Sequence, residues 1–168
     1  FDELQTVGGM NSQMDVEQLT DHTITVASKI QEEGLAEIKV SIDGIGPNAA
    51  KKWARNKNIE LVSIQGAGNL GNKMKRQFLK THYEKVFSYQ KSSPILLIGT
   101  DLPTISILDL TKALEILHHK EMVLGPSIDG GYWLIGLSDK LLSPLCSWPF
   151  CGIEWGTGKV LQETIRLA

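Results

Sequence analysis

Residues 94–99 read Pro-Ile-Leu-Leu-Ile-Gly, a continuous apolar run closed at both ends by turn-forming residues. A run this short fits a strand buried on both faces, as in a parallel sheet. Such a strand needs a layer of helices on each side, and the rest of the chain supplies candidates. From residue 16 to 33 apolar positions recur at Leu19, Thr23, Val26, Ala27 and Ile30, a helical spacing that Gly34 terminates. Ile38, Val40 and Ile42 alternate with polar residues and predict a strand. Pro47 opens a short helix to Asn56, with Trp53 on its inner side.

Leu61, Val62 and Ile64 form the next predicted strand, followed by a glycine-rich turn and a helix over 70–88. Asn69 suits its N-cap, and Met74, Phe78 and Leu79 give it an apolar stripe. Beyond the buried strand, Ser106 caps a helix whose Leu110, Ala113, Leu114 and Leu117 face inward. Residues 122–125 and 132–137 are the last predicted strands, the second entered through Asp129-Gly130-Gly131, a sequence suited to a hairpin-type turn. Thr157 is read as the cap of a final helix carrying Val160, Leu161, Thr164 and Ile165. Alternating strands and helices imply βαβ units. The expected fold is α/β, a three-layer α/β/α domain with a mostly parallel sheet. No repeat, linker or low-complexity segment divides its 168 residues.

Charge narrows the function. Seventeen Lys and Arg against nineteen Asp and Glu give a net charge of −2, so no basic field recruits nucleic acid or an anionic membrane. Apolar runs fall far short of the ~20 residues that span a bilayer. Nothing in the sequence indicates secretion. Two cysteines, Cys146 and Cys151, are too few for a disulfide scaffold and lack the partners of a zinc site. A reduced, cytoplasmic protein is expected.

Ligands of open α/β sheets bind beyond the carboxyl ends of the strands. Three segments rich in Gly and polar groups fall there, at 65–74, 99–103 and 126–132, and a fourth, 153–157, precedes the last helix. Asp101 follows the buried strand, where one carboxylate suffices for a divalent cation that also carries two phosphates. The competing reading is a turn cap, and Asp129 has the same alternative as an Asx turn. Gln65, Gly66, Gly68, Leu70 and Gly71 join a strand to a helix, and glycines there let the backbone approach a flat or anionic ligand. Neither a GxGxxG fingerprint nor a Walker loop is present. Lys73 is within reach of a phosphate, though a solvated lysine is the commoner case. Glu154 lies in an irregular aromatic stretch, where a carboxylate can orient a hydroxyl or act as a base. Tyr132, Trp133 and Trp155 suit an aromatic wall, with core packing the more frequent role. The four histidines form no triad.

These motifs together resemble a known family. Leu-Ile-Gly-Thr-Asp-Leu-Pro (97–103), then Val-Leu-Gly-Pro-Ser-Ile-Asp-Gly-Gly-Tyr-Trp-Leu-Ile-Gly-Leu (123–137), closely resembles the bacterial glycosyltransferase-like family. That family is related to the 2-phospholactate guanylyltransferases and has the nucleotide-diphospho-sugar transferase (GT-A) fold. Leu70-Gly71-Asn72-Lys73-Met74 looks like its Leu-Gly-x-Arg/Lys-Met signature, and 153–164 like its closing Trp-Ser/Gly-Thr motif. The likeness spans about residues 15–166.

The resemblance implies that Asp101 holds a catalytic Mg²⁺ or Mn²⁺ against a nucleotide diphosphate. It implies that Gln65 and the 66–71 loop, with Lys73, line the nucleotide. Asp129, Gly130, Gly131, Tyr132, Trp155 and Thr157 would face the sugar or acceptor, with Asp129 and Glu154 joining Asp101 in catalysis. The family normally opens with a strand and a basic phosphate loop, and residues 1–9 contain neither. The expectation is therefore an N-terminally incomplete domain, irregular over 1–14, whose first strand is missing. The leading reading is metal-dependent glycosyl transfer from a nucleotide-diphospho-sugar to a small-molecule acceptor. Nucleotidyl transfer from a nucleoside triphosphate to a phosphorylated or small acid acceptor stands close behind. A third reading is an inactive nucleotide-binding or assembly module, with homo-oligomerisation left open.

Overall fold

The structure is a computed structural model, described here over residues 15–89, 92–142 and 150–168. The expected irregular start and Cys146 lie outside the described residues. In chain order the elements are α1 (Val16–Glu32), β1 (Lys39–Ile42), α2 (Pro47–Asn56), β2 (Leu61–Ile64), α3 (Leu70–Tyr89), β3 (Ile95–Ile98), α4 (Ile107–Leu117), β4 (Met122–Pro126), β5 (Tyr132–Leu137), α5 (Asp139–Leu142) and α6 (Val160–Leu167). Local chemistry explains most boundaries. Asp15 with Gln18 and Ser106 with Asp109 close reciprocal capping boxes at α1 and α4. Asn69 accepts the Asn72 N–H at 2.9 Å, capping α3 as its sequence suggests.

At α6 the cap differs from expectation. Thr157 donates its hydroxyl to the Glu154 carbonyl at 2.9 Å, and the helix begins after Lys159. Thr157 thus closes the turn before the helix, because its side chain finds a nearer carbonyl one turn back. The short helix α5 has too few residues to show a periodicity and went unpredicted.

β5 organises the core. It lies between β3 and β4, antiparallel to both. A parallel arrangement was expected, and it holds for β1 with β2. It fails for β4 and β5 because the five residues joining them are too few for a crossover and turn the chain straight back. Alternate β5 side chains enter opposite layers. Leu134 packs with Val26 and Ile30 of α1 and with Leu110 and Ala113 of α4. Ile135 and Leu137 pack with Met74 and Phe78 of α3 and with Leu142 of α5. The molecule is thus a three-layer α/β/α arrangement.

The strands form two sheets, β1–β2 and β3–β5–β4, and among the described residues β1 and β3 do not pair with each other. The space between them is a cleft made of two cavities of about 500 Å³ each. One is lined by Val40 and Ser41 and by residues 98–101, the other by Ala36 and Glu37 and by residues 93–95. The two strands therefore run in the same direction along the cleft. Register gives each an open edge. Gln65 donates its N–H to Ile42, which turns Val40 and Ile42 toward β2 and leaves Lys39 and Ser41 facing the cleft. Gly99 donates to Trp133 at 2.8 Å, which turns Leu97 toward β5 and leaves Leu96 and Ile98 facing the cleft. Thr20, Thr23, Ile24 and Ala27 of α1 roof it, and the Thr23 and Ser41 hydroxyls are buried there without a hydrogen-bond partner.

Candidate functional site

The carboxyl ends of β1, β2 and β3 open at the same end of the cleft. Gln65, Leu70, Lys73, Asp101 and Tyr132, all singled out from sequence, line this cavity together. The side chain of Asp101 is exposed and folds back over Gly99, where a Cβ would lie 2.9 Å from its Oδ1. It is neither sealed in the core nor spent on capping α4, whose cap is Ser106.

Two further residues at this mouth, Asp43 and Ser41, were not picked out from sequence. Lys73 Nζ reaches Asp43 Oδ2 at 2.5 Å, tying the first turn of α3 to the end of β1. The Lys73 ammonium, chiefly through that hydrogen bond, holds the Asp43 carboxyl below its ordinary range. Gln65 donates its amide to the Ser41 carbonyl at 3.1 Å. The signal for Asp43 was available, since it directly follows β1, and Asp101 likewise lies just past the end of β3.

The glycine-rich loop is shaped by α3. Gly66 takes φ +77° and Gly68 φ +113°, backbone conformations that side chains disfavour. Gly71 is buried beneath the indole of Trp155, where a Cβ would lie 2.6 Å from Cζ2. Trp155 also meets Tyr132 edge-on, with ring centroids 6.5 Å apart. Packing thus accounts for Trp155, which does not line the cleft cavity. Burial pushes the Tyr132 phenol above its usual range.

Asp129, Gly130, Gly131, Glu154 and Thr157 gather at the entry to α6, and none of them lines the cavity with Asp101, although Tyr132, next in sequence to Gly131, does. Asp129 Oδ1 accepts the Ser127 hydroxyl and, at 3.0 Å, the Gly131 N–H. These bonds, Ser127 first, hold its carboxyl below the ordinary range. The Asx-turn geometry is therefore present. Gly130, at φ +85°, lies flat against the Gly158 peptide, and its carbonyl accepts the Leu161 N–H at 3.0 Å. Glu154 is anchored by its main chain, with its N–H on Glu163 Oε2 at 3.0 Å, while the residue itself is exposed.

Among the described residues no three His, Cys, Asp or Glu side chains cluster to hold a metal ion. The donors fit a cation bound by one carboxylate plus ligand phosphates and water, as Mg²⁺ commonly is, and do not fit a metal caged by protein alone. Packing explains two of the histidines: His22 Nε2 lies 3.1 Å from the Ile105 carbonyl, and His82 is buried beside Ser92. No helix among the described residues is long and apolar enough to cross a membrane.

No curated protein matches the chain. A solved structure does, the crystal structure of a "putative nucleotide-diphospho-sugar transferase" from Desulfovibrio desulfuricans G20. It superposes with a TM-score of 0.68 at 25% sequence identity, over 88% of this chain and 61% of that one. This chain therefore spans about three-fifths of that protein's length and shares its fold. One family model also matches, over residues 24–157, from α1 through the Asp101 and Asp129 segments to Thr157. The chain belongs to that family, described as "Uncharacterized protein conserved in bacteria (DUF2064)".

Proposed function

We propose that this chain forms the nucleotide-handling part of a metal-dependent transferase, most consistent with glycosyl transfer from a nucleotide-diphospho-sugar. The observation that carries the reading is the shared mouth where Asp101, Lys73 and Gln65 converge from three separate elements. Its likeness to the Desulfovibrio structure supports the substrate class. Gln65 offers an amide and Leu70 an apolar surface to a base, and Lys73 is placed to swing from Asp43 to a phosphate. Asp101 would hold the cation, which when bound neutralises charge on a leaving diphosphate. Asp129 and Glu154 are proposed for the acceptor side, where Glu154 presents an exposed carboxylate.

The alternative, nucleotidyl transfer of the kind carried out by 2-phospholactate guanylyltransferases, is favoured by one feature. Asp101 is followed by Leu102-Pro103 and has no second acidic residue adjoining it in sequence. Pyrophosphate release from a nucleoside triphosphate would select that reading.

The test is titration calorimetry with UDP- and GDP-sugars in the presence of Mg²⁺ or Mn²⁺. Asp101→Asn is expected to abolish the metal-dependent part of the affinity. If Asp101→Asn binds every such ligand as well as the unaltered chain, Asp101 has no metal role.

The two open edges support one further part of the reading. A strand running parallel to β1 and β3 would pair with Lys39, the Ser41 N–H, Leu96 and Ile98, share the Ser41 carbonyl with the Gln65 amide, and join the two sheets into one. We propose that the complete domain contains such a strand, and that its carboxyl end would emerge beside Asp101.

A further inference from the structure

The Gln65–Leu70 loop owes its shape to a residue outside the cleft. Arg76 is exposed, two turns into α3, and its guanidinium donates to two main-chain carbonyls at once. Nη1 bonds the Gln65 carbonyl, and Nη2 bonds the Ala67 carbonyl at 2.7 Å. These carbonyls flank Gly66, and a Cβ there would lie 2.9 Å from Nη1 and 3.3 Å from Cζ. The guanidinium plane is therefore seated against the Gly66 backbone. The neighbouring Gln77, buried, continues the row: its amide donates to the Ile64 carbonyl at 3.2 Å and its Oε1 accepts the Ser63 hydroxyl at 2.8 Å. Three carbonyls within four residues are thus held by two adjacent side chains of α3.

We propose that Arg76 is a positioning residue. By drawing the Gln65 and Ala67 carbonyls outward, it fixes the loop in the form that presents Gln65 and Leu70 to the cleft. It touches no ligand in this arrangement, since Arg76 does not line the cavity that holds Asp101. A planar two-donor fork is what two carbonyls on either side of one residue require, and a lysine ammonium does not supply it. The inference rests on the nucleotide reading only for its consequence in binding; the effect on the loop stands apart from it.

The test compares Arg76→Ala, Arg76→Lys and Gly66→Ala in the full chain. Hydrogen exchange is read at the amides that close the loop at its two ends, Gln65 on the Ile42 carbonyl, Asn72 on the Asn69 side chain and Lys73 on the Asn69 carbonyl, and affinity with UDP- and GDP-sugars plus Mg²⁺. Removing charge-assisted bonds of this kind from a loop is expected to speed exchange there about ten- to a hundredfold in Arg76→Ala, with the Phe78 amide unchanged. Lysine at 76 should not restore protection, whereas added guanidinium should restore part of it in Arg76→Ala. Gly66→Ala, which meets the guanidinium from the other side, should loosen the same amides. Any nucleotide-sugar affinity should fall in step with the loss of loop protection. Unchanged exchange at the Gln65, Asn72 and Lys73 amides in Arg76→Ala, or full recovery with lysine, overturns the proposal. So does a loosened loop that binds the nucleotide sugar as tightly as before. If the unaltered chain binds no nucleotide sugar, the nucleotide reading fails, and the exchange measurements still decide whether Arg76 shapes the loop.

Discussion

Replacing Gly130 with alanine tests how the Asp129 turn is held. Two costs arise, and they can be separated. The first is conformational: at φ +85° an L side chain sits in the left-handed region, at about 1–2 kcal/mol. The second is steric. The new Cβ would lie 2.6 Å from the Gly158 carbonyl carbon and 2.9 Å from its Cα. These are main-chain atoms that no rotamer change can move aside, and overpacking of this kind adds about 1–3 kcal/mol. The expected loss is thus about 2–5 kcal/mol, or ~4–20 °C in melting temperature for a chain of this length. Gly156 supplies the control. Its φ is also +85°, but nothing lies within 4 Å of the corresponding Cβ, so Gly156→Ala carries only the conformational cost of ~1–2 kcal/mol. Urea denaturation gives the two losses, and hydrogen exchange at the Leu161 amide, which donates to Gly130, locates the damage. Gly130→Ala should expose that amide and Gly156→Ala should not. Equal losses for the two variants would refute the claim that the turn is keyed against the α6 entry.

Three further outcomes follow from the geometry. In amide exchange, Leu96, Ile98, Lys39 and Ser41 should exchange much faster than Leu97, Val40 and Ile42. If all seven are equally slow, the cleft edges are paired and the open slot does not exist. Phe78, wholly buried against Phe150 and the β5 face, should cost about 3–5 kcal/mol on replacement by alanine, read by urea denaturation. Asp43 has its carboxyl lowered by Lys73, so its contribution is present above the ordinary value of 3.8 and is lost as pH falls through the lower folded value. The stability difference between the unaltered chain and Asp43→Asn should therefore shrink below about pH 4, and a difference that is constant through the acid range would contradict the pairing.

The candidate site was legible in part. Asp101 was found because an acidic residue after an apolar strand lands at a sheet rim, and the rim is where it lies, although the strand itself is only half-buried because one edge faces the cleft. Lys73, Gln65 and Leu70 followed from the strand–glycine–helix pattern, which fixes where a loop sits. Asp129 and Glu154 were also seen, and the fold ties both to the entry of α6, outside the lining of the cavity that holds Asp101. Arg76 and Asp43 escaped. Each acts through a partner distant in sequence or across a loop, Arg76 on the 65–67 carbonyls and Asp43 on Lys73 thirty positions away. A polar residue with no local partner looks like ordinary surface.

Along the chain, local chemistry settled the elements. Capping residues, apolar spacing and the Asn69 and Ser106 ends are properties of neighbouring residues, so the sequence alone determined nearly every helix and strand. Tertiary structure decided what those elements do to one another. Only pairing could show that β5 runs antiparallel between β3 and β4, and that β1 and β3 stand apart with their open edges facing a common cleft. Pairing partners are chosen by which apolar faces must be covered together, and that depends on residues far apart in the chain.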